Sequence, residues 1–120
     1  MKIIVADDEA DMRDYLRAIL THWGHQVVAV ADDGVQLVEY CRACRPDLII
    51  TDLRMPNLNG DDAIREIWKQ AAIPVILISA YQCPEELANA AAYPSLRYLN
   101  KPINRNKLRE TLNTLPTISQ

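Results

Sequence analysis

Five short apolar runs, none of which alternates with polar residues, constrain the fold of this chain more than any other feature of its sequence. The segments between the runs show helical spacing of apolar residues. A continuous apolar run of this kind is typical of a strand buried on both faces, as in a parallel sheet covered by helices. The sequence therefore predicts an α/β fold with a doubly wound, five-stranded parallel sheet. The predicted strands are residues 3–6, 27–30, 48–51, 75–78 and 96–99.

Helical spacing is clearest between the first two runs, where apolar residues recur at i, i+3, i+4, i+7, i+8 and i+11. The residues of this predicted buried stripe are Met12, Tyr15, Leu16, Ile19, Leu20 and Trp23. Further helices are predicted over 34–44, over 61–70, from Pro84 to about residue 92, and after Asn104. Asp32 or Asp33 is the expected N-cap of the second helix, and Asn104 that of the last. The result is five βα units in one domain spanning residues 1–120, of which 116–120 are a tail.

Composition restricts the binding partners and the cellular compartment that are expected for this domain. The chain has 120 residues, with 13 Lys and Arg against 16 Asp and Glu, and its net charge of −3 gives no reason to expect direct nucleic-acid or membrane binding. No apolar run approaches the ~20 residues that cross a bilayer, and the start of the chain lacks a signal-peptide pattern. Three cysteines, an odd number, favour free thiols in a reducing compartment. We therefore expect a cytoplasmic protein.

Polar side chains follow four of the predicted strands. Asp7 and Asp8 follow the first strand, Asp52 the third, Ser79 the fourth and Lys101 the fifth. The carboxyl ends of parallel strands meet at one edge of the sheet, and ligands bind there. Three clustered carboxylates repel one another unless a cation lies between them, which predicts a Mg²⁺ site. Together, Mg²⁺, a lysine and a hydroxyl are the groups that stabilise charge on a phosphoryl group during transfer.

With these residues, the chain closely resembles the receiver domains of two-component response regulators, of the chemotaxis type. The resemblance covers essentially the whole chain in the right order. It implies a flavodoxin-like (βα)5 fold with strand order 2-1-3-4-5. The motifs that carry it are the acidic pair Asp7-Asp8, the segment from Asp52 through Met55-Pro56 to Gly60, the hydroxyl of Ser79, and Tyr98-Leu99-Asn100-Lys101-Pro102.

The resemblance implies how the acidic residues act. Asp52 would be the phosphoacceptor, taking a phosphoryl group from a phosphohistidine on a sensor histidine kinase or a histidine phosphotransfer protein. Asp8 and Asp52 would ligate Mg²⁺ directly, and Asp7 would do so mostly through water. The backbone carbonyl of Arg54 would complete the protein ligands.

The resemblance also implies a switch. Lys101 would pair with the phosphoryl group, Ser79 would move to donate a hydrogen bond to it, and Tyr98 would turn inward. The surface of the fourth helix, fifth strand and fifth helix would then repack and act on an output domain or effector protein that the sequence does not name, or form a phosphorylation-dependent dimer. The domain would not be an enzyme beyond its own phosphorylation and dephosphorylation.

Arg54 and Tyr81 each lie two residues beyond a strand-end residue of the predicted site. Both side chains are large, and we expect them to flank the phosphoryl group and hinder the water that hydrolyses it, so that the phosphorylated state lasts for many minutes. The chain departs from the family in having Ser79 where threonine is more frequent, Pro94-Ser95 where Gly-Ala is common, and Ile103 where an aromatic residue is common.

Two other structural interpretations of these residues compete with this one. Asp8 alone could be the N-cap of the first helix. The pairs Cys41/Cys44 and His22/His25 have the spacing of zinc ligands, but the predicted topology places the first and second helices on opposite faces of the sheet. Buried thiols and surface histidines are therefore the expected roles of these residues.

Three other functions are compatible with a similar sheet. An aspartate-nucleophile phosphohydrolase typically has a second acid where this chain has Arg54, which disfavours that activity. A flavodoxin-like cofactor binder needs a phosphate cradle, and the acidic, glycine-free loop after the first strand does not provide one. A receiver-like scaffold that is never phosphorylated remains an alternative.

Overall fold

The computed structural model describes residues 1–80 and 96–114, and it contains a sheet of five parallel strands in the order β2-β1-β3-β4-β5. The predicted fold class and strand order are therefore confirmed. Each predicted apolar run forms a strand, lengthened by one or two polar or small residues at its ends. The strands are β1 (Lys2–Ala6), β2 (Gln26–Ala31), β3 (Leu48–Asp52), β4 (Val75–Ser79) and β5 (Leu96–Asn100).

Four helices lie within the described residues: α1 (Ala10–His22), α2 (Gly34–Cys44), α3 (Gly60–Trp68) and α4 (Arg105–Thr114). The N-cap of α2 is Asp33, whose side chain accepts a hydrogen bond from the backbone N–H of Gln36. Asn104 caps α4 in the same way, through the backbone N–H of Lys107 at 3.0 Å. Both caps agree with the prediction. The helix predicted from Pro84, the Pro94-Ser95 departure and the predicted tail lie outside the described residues.

The two faces of the sheet pack against different helices, which explains why the strand sequences do not alternate. Buried residues of α2 and α3 form one core cluster with strand residues such as Ile4, Ile49 and Leu77. Buried residues of α1 and α4 form a second cluster with strand residues such as Ile3 and Ile50. Successive residues of a strand point to opposite faces, so the strands have apolar side chains at consecutive positions.

The predicted stripe of α1 is largely correct. Leu16, Ile19 and Leu20 are buried, and Met12 and Trp23 pack against the same cluster. Tyr15 is exposed, contrary to the prediction, because its place on the helix is at the margin of the stripe.

The cysteine pair and the histidine pair belong to opposite faces of the sheet: Cys41 and Cys44 lie on α2, whereas His22 ends α1 and His25 follows it before β2. Cys41 is buried in the cluster of α2, and burial raises the pKa of its thiol to about 12. His22 ends α1, whose buried residues belong to the other cluster. No helix within residues 1–80 and 96–114 is long and apolar enough to cross a membrane.

Candidate functional site

Three carboxylates converge at the edge of the sheet where the strands end. One oxygen from each of Asp7, Asp8 and Asp52 lies within 4.8 Å of the others. Asp52 is the last residue of β3, and Asp7 directly follows β1, so the parallel pairing of these neighbouring strands brings the two together. Asp7 and Asp52 are buried and Asp8 is exposed. The donor set, three carboxylate oxygens at this spacing, suits a hard divalent cation such as Mg²⁺.

Lys101 lies beside the acidic cluster and contacts three carboxylates. Its Nζ is 3.2 Å from Oδ2 of Asp7, 3.3 Å from Oε1 of Glu9 and 3.4 Å from Oδ2 of Asp52. Lys101 follows β5, and its backbone N–H donates to the carbonyl of Ser79 at 2.8 Å, which connects it to the end of β4. The peptide bond from Lys101 to Pro102 is cis.

The charges of the cluster are only partly balanced. Burial, and then the neighbouring charge of Asp7, raise the pKa of Asp52 to about 6, although Lys101 and the backbone N–H of Leu53 oppose this. Burial also raises the pKa of Asp7, against the effects of the Glu9 backbone N–H and Lys101. Burial lowers the pKa of Lys101, but the charges of Asp7 and Asp52 outweigh it and the net shift is upward. A cation would relieve the remaining repulsion between the carboxylates.

Local hydrogen bonds hold the Asp52 carboxylate and the loop that follows it. Oδ1 of Asp52 accepts from the backbone N–H of Leu53 at 2.8 Å, which leaves Oδ2 facing Lys101. The backbone N–H of Gly60 donates to the carbonyl of Leu53, also at 2.8 Å, and closes the loop at the start of α3. A Cβ atom at position 60 would overlap the carbonyl oxygen of Asp52, so only glycine allows this close approach.

Comparison with known proteins agrees with this geometry. The family model described as "Response regulator receiver domain" matches residues 3–113. The chain belongs to this receiver domain family. Its five-stranded parallel sheet is thus that of a response regulator receiver domain.

Relatives with different names contain a segment similar to this receiver domain. It is 34% identical to a protein-glutamate methylesterase/protein-glutamine glutaminase of Pyrococcus horikoshii, in a match that covers 93% of the chain and 33% of that protein. It is 36% identical to the transcriptional regulatory protein ZraR of Escherichia coli strain K12, over 92% of the chain and 25% of that protein. The chain thus spans about a third or a quarter of the length of these relatives.

Among solved structures, the receiver domain is similar to the response regulator domain of Thermotoga maritima CheB. The TM-score is 0.79 at 30% sequence identity, and the match covers 97% of this chain and 98% of that one. The signal receiver domain of NarL from Mycobacterium tuberculosis matches with a TM-score of 0.80 at 27% identity, over 93% of this chain and 92% of that one.

The structure also locates the predicted switch residues. Ser79 is buried at the end of β4, at the same sheet edge as the acids. Tyr98 lies on β5 opposite Leu77, half-buried against the cluster of α2 and α3. The side chain of Arg54 is exposed on the loop after β3. Tyr81 lies outside the described residues.

Two site contacts were not predicted from the sequence. Glu9 is the N-cap residue of α1, the role considered above for Asp8, yet its side chain makes no capping bond and contacts Lys101 instead. Arg13 of α1 donates from Nη1 to the backbone carbonyl of Asp7 at 2.9 Å. The sequence places Glu9 directly after the acidic pair, but it does not show that Lys101, 92 residues further along, lies within reach. Arg13 lies in the first turn of α1, six residues after Asp7, and this short spacing was the available signal for the second contact.

Proposed function

We propose that this receiver domain is a phosphorylation switch in which Asp52 accepts a phosphoryl group from a phosphohistidine. The observation that supports this best is the environment of the Asp52 carboxylate. It lies at the end of β3, with one oxygen held by a backbone N–H, the other 3.4 Å from Lys101, and two further carboxylates beside it. This arrangement orients the Asp52 carboxylate for attack on phosphorus and places near it groups that can stabilise the negative charge of the phosphoryl oxygens, namely Lys101 and a bound cation.

The transfer step is a displacement at phosphorus. A carboxylate oxygen of Asp52 forms the new P–O bond while the P–N bond to the donor imidazole breaks, and the electron pair of that bond leaves with the imidazole. Asp7, Asp8 and Asp52 would hold Mg²⁺ together with the carbonyl of Arg54. When bound, Mg²⁺ would offset the negative charge of the carboxylates and of the phosphoryl oxygens.

Lys101 and Ser79 would convert phosphorylation into a change of shape. Lys101 now divides its contacts among three carboxylates, and a phosphoryl group on Asp52 would compete for its ammonium group. Ser79, buried at the same edge, would donate its hydroxyl to a phosphoryl oxygen. Tyr98 would fill the space that this movement leaves, because it lies half-buried on the adjacent strand β5.

The partners follow from this chemistry. The donor would be a sensor histidine kinase or a histidine phosphotransfer protein, and the surface around β5 and α4 would act on an output domain or effector protein, or pair with a second phosphorylated copy. A cytoplasmic location fits the free thiols of Cys41 and Cys44. The methylesterase activity in the name of one relative is not carried over, because the match covers only 33% of that protein.

The switch can be tested by following backbone amide shifts after addition of acetyl phosphate and Mg²⁺. We expect changes at Asp52, Ser79 and Tyr98 in the parent and none in Asp52→Asn, whose amide is not a nucleophile. Lys101→Met should still bind Mg²⁺ but show smaller changes at Ser79 and Tyr98. A scaffold that is never phosphorylated would show the same spectrum with and without acetyl phosphate.

A further inference from the structure

Asp33 uses its two carboxylate oxygens for two different partners. Oδ1 accepts from the backbone N–H of Gln36 at 2.8 Å and caps α2. Oδ2 accepts from the side-chain amide of Asn57 at 2.7 Å, on the loop between Asp52 and α3. These bonds, the Gln36 bond first, lower the pKa of Asp33, so the carboxylate is charged at neutral pH and both hydrogen bonds are charge-assisted. One side chain therefore joins the start of α2 to the loop that follows the phosphoacceptor.

Asn57 adopts a conformation that suits this contact. Its φ is +67°, in the left-handed region that asparagine tolerates better than most residues. The backbone of the next residue, Leu58, lies directly against Gly34, where a Cβ atom would overlap the Leu58 carbonyl. The N-cap residue Asp33 and the first helical residue Gly34 thus contact two consecutive residues of the loop, Asn57 and Leu58 respectively.

The same loop carries the carbonyl of Arg54, between two buried side chains. Leu53 and Met55 pack into the core on either side of Arg54, and the Met55 backbone N–H donates to Oδ1 of Asn59 at 3.1 Å. The first half of the loop is therefore anchored in the core, whereas Asn57 is exposed and joins the second half to α2. A loop whose two halves are both held in place loses less conformational entropy when it binds a cation.

We propose that Asp33 and Asn57 are positioning residues for the cation site, because their hydrogen bond holds the loop in the shape that presents Asp52 and the Arg54 carbonyl. This inference rests on the proposed Mg²⁺ site. It assigns to the start of α2 a role in the affinity of that site, although neither residue touches the acidic cluster.

Two substitutions separate this bond from the other roles of the same residues. Asn57→Gly removes the amide but keeps a residue that adopts positive φ freely. Asp33→Ser removes the oxygen that Asn57 uses but keeps a hydroxyl that can cap α2. Asp32→Ser is the matched control, because it removes the same charge at the adjacent position. Within residues 1–80 and 96–114, the hydrogen bond of Asp32 is made by its backbone N–H, which donates to Oε1 of Gln36, and not by its carboxylate.

The test measures the Mg²⁺ dissociation constant of each variant by amide-shift titration. Partners that orient metal ligands typically change affinity by about tenfold or more, and this bond acts one step further away, so we expect Asn57→Gly and Asp33→Ser each to weaken Mg²⁺ binding by roughly threefold to tenfold. The double variant should be no weaker than the worse single variant, since both remove one bond. Asp32→Ser should bind Mg²⁺ within about twofold of the parent, and denaturant unfolding should show all four variants folded.

Amide hydrogen exchange in the metal-free proteins gives an independent measurement. The N–H groups of Met55 and Gly60 should exchange severalfold faster in Asn57→Gly and Asp33→Ser than in Asp32→Ser. Parent-like Mg²⁺ affinity in both variants, or losses that add in the double variant, would overturn the inference while leaving the proposed site intact. Absence of Mg²⁺ binding in the parent would instead refute the proposed site, and hydrogen exchange would still decide whether the bond positions the loop.

Discussion

Replacing the buried Asp52 carboxylate with an amide should stabilise the metal-free protein at neutral pH. Asp52→Asn keeps an oxygen that can accept from the Leu53 N–H, and it leaves Lys101 paired with Asp7 and Glu9. What it removes is a negative charge in a site where burial and the charge of Asp7 raise the pKa of Asp52 to about 6. The charge with which Asp52 would hold the proposed cation thus lowers the stability of the metal-free protein.

The size and sign of the effect follow from proton linkage. The pKa of Asp52 is about 6 in the folded protein against an ordinary value of 3.8, so the folded state binds more protons than the unfolded state between these pH values. The free energy of unfolding therefore falls as pH rises from 3.8 through 6. Relative to a carboxyl group with an ordinary pKa, ionisation of Asp52 lowers the free energy of unfolding by about 3 kcal/mol at pH 7.5 and by about 1 kcal/mol at pH 4.5. Asp52→Asn does not lose this stability because it does not ionise.

The assay is urea unfolding of parent and Asp52→Asn with a chelator present, at pH 7.5 and pH 4.5. We expect the variant to be more stable than the parent by about 3 kcal/mol at the higher pH, and by about 1 kcal/mol at the lower. Asp8→Asn is the control, since it removes a charge of the same cluster from an exposed position and should stabilise less. An advantage for Asp52→Asn that does not change with pH, or a loss of stability at pH 7.5, would refute the reasoning.

Three further predictions concern the cation, the loop and the phosphorylated state. Millimolar Mg²⁺ should raise the free energy of unfolding of the parent but not that of Asp52→Asn, which urea unfolding with and without Mg²⁺ will measure. Gly60→Ala should lower the free energy of unfolding by at least about 2 kcal/mol, because its Cβ atom would overlap the Asp52 carbonyl; a parent-like midpoint would contradict the observed loop closure. The double change Arg54→Asn with Tyr81→Glu should shorten the life of the phosphorylated state about tenfold, or about 1.4 kcal/mol of barrier, when loss of phosphoryl mass is followed over time; an unchanged decay would show that these side chains do not hinder water.

The strands and the acidic site could be predicted because their signals are local in the sequence. The apolar residues 48–50 and the β-branched Thr51 predict a strand covered on both faces, and the parallel topology then brings Asp7, Asp52, Ser79 and Lys101 to one edge. Strand ends are less certain, because polar residues such as Asp52 continue the pairing of β3 beyond the apolar run. The predicted stripe of α1 was wrong at Tyr15, which is exposed, since a residue at the margin of a stripe can lie on either side.

Contacts between residues far apart in the sequence could not be predicted in this way. Asp33 is identifiable as a helix cap, but nothing local shows that its second oxygen meets Asn57, 24 residues further along the chain. The contact between Glu9 and Lys101 depends on the path of two loops around the sheet edge. The raised pKa of Asp52 likewise depends on burial, which only the packed structure provides.

The central claim, that Asp52 accepts a phosphoryl group, is tested most directly by intact-protein mass measurement after incubation with acetyl phosphate and Mg²⁺. We predict that the parent gains the mass of one phosphoryl group, that a chelator prevents the gain, and that Asp52→Asn gains none. An equal gain by Asp52→Asn, or no gain by the parent at any Mg²⁺ concentration, would contradict the account.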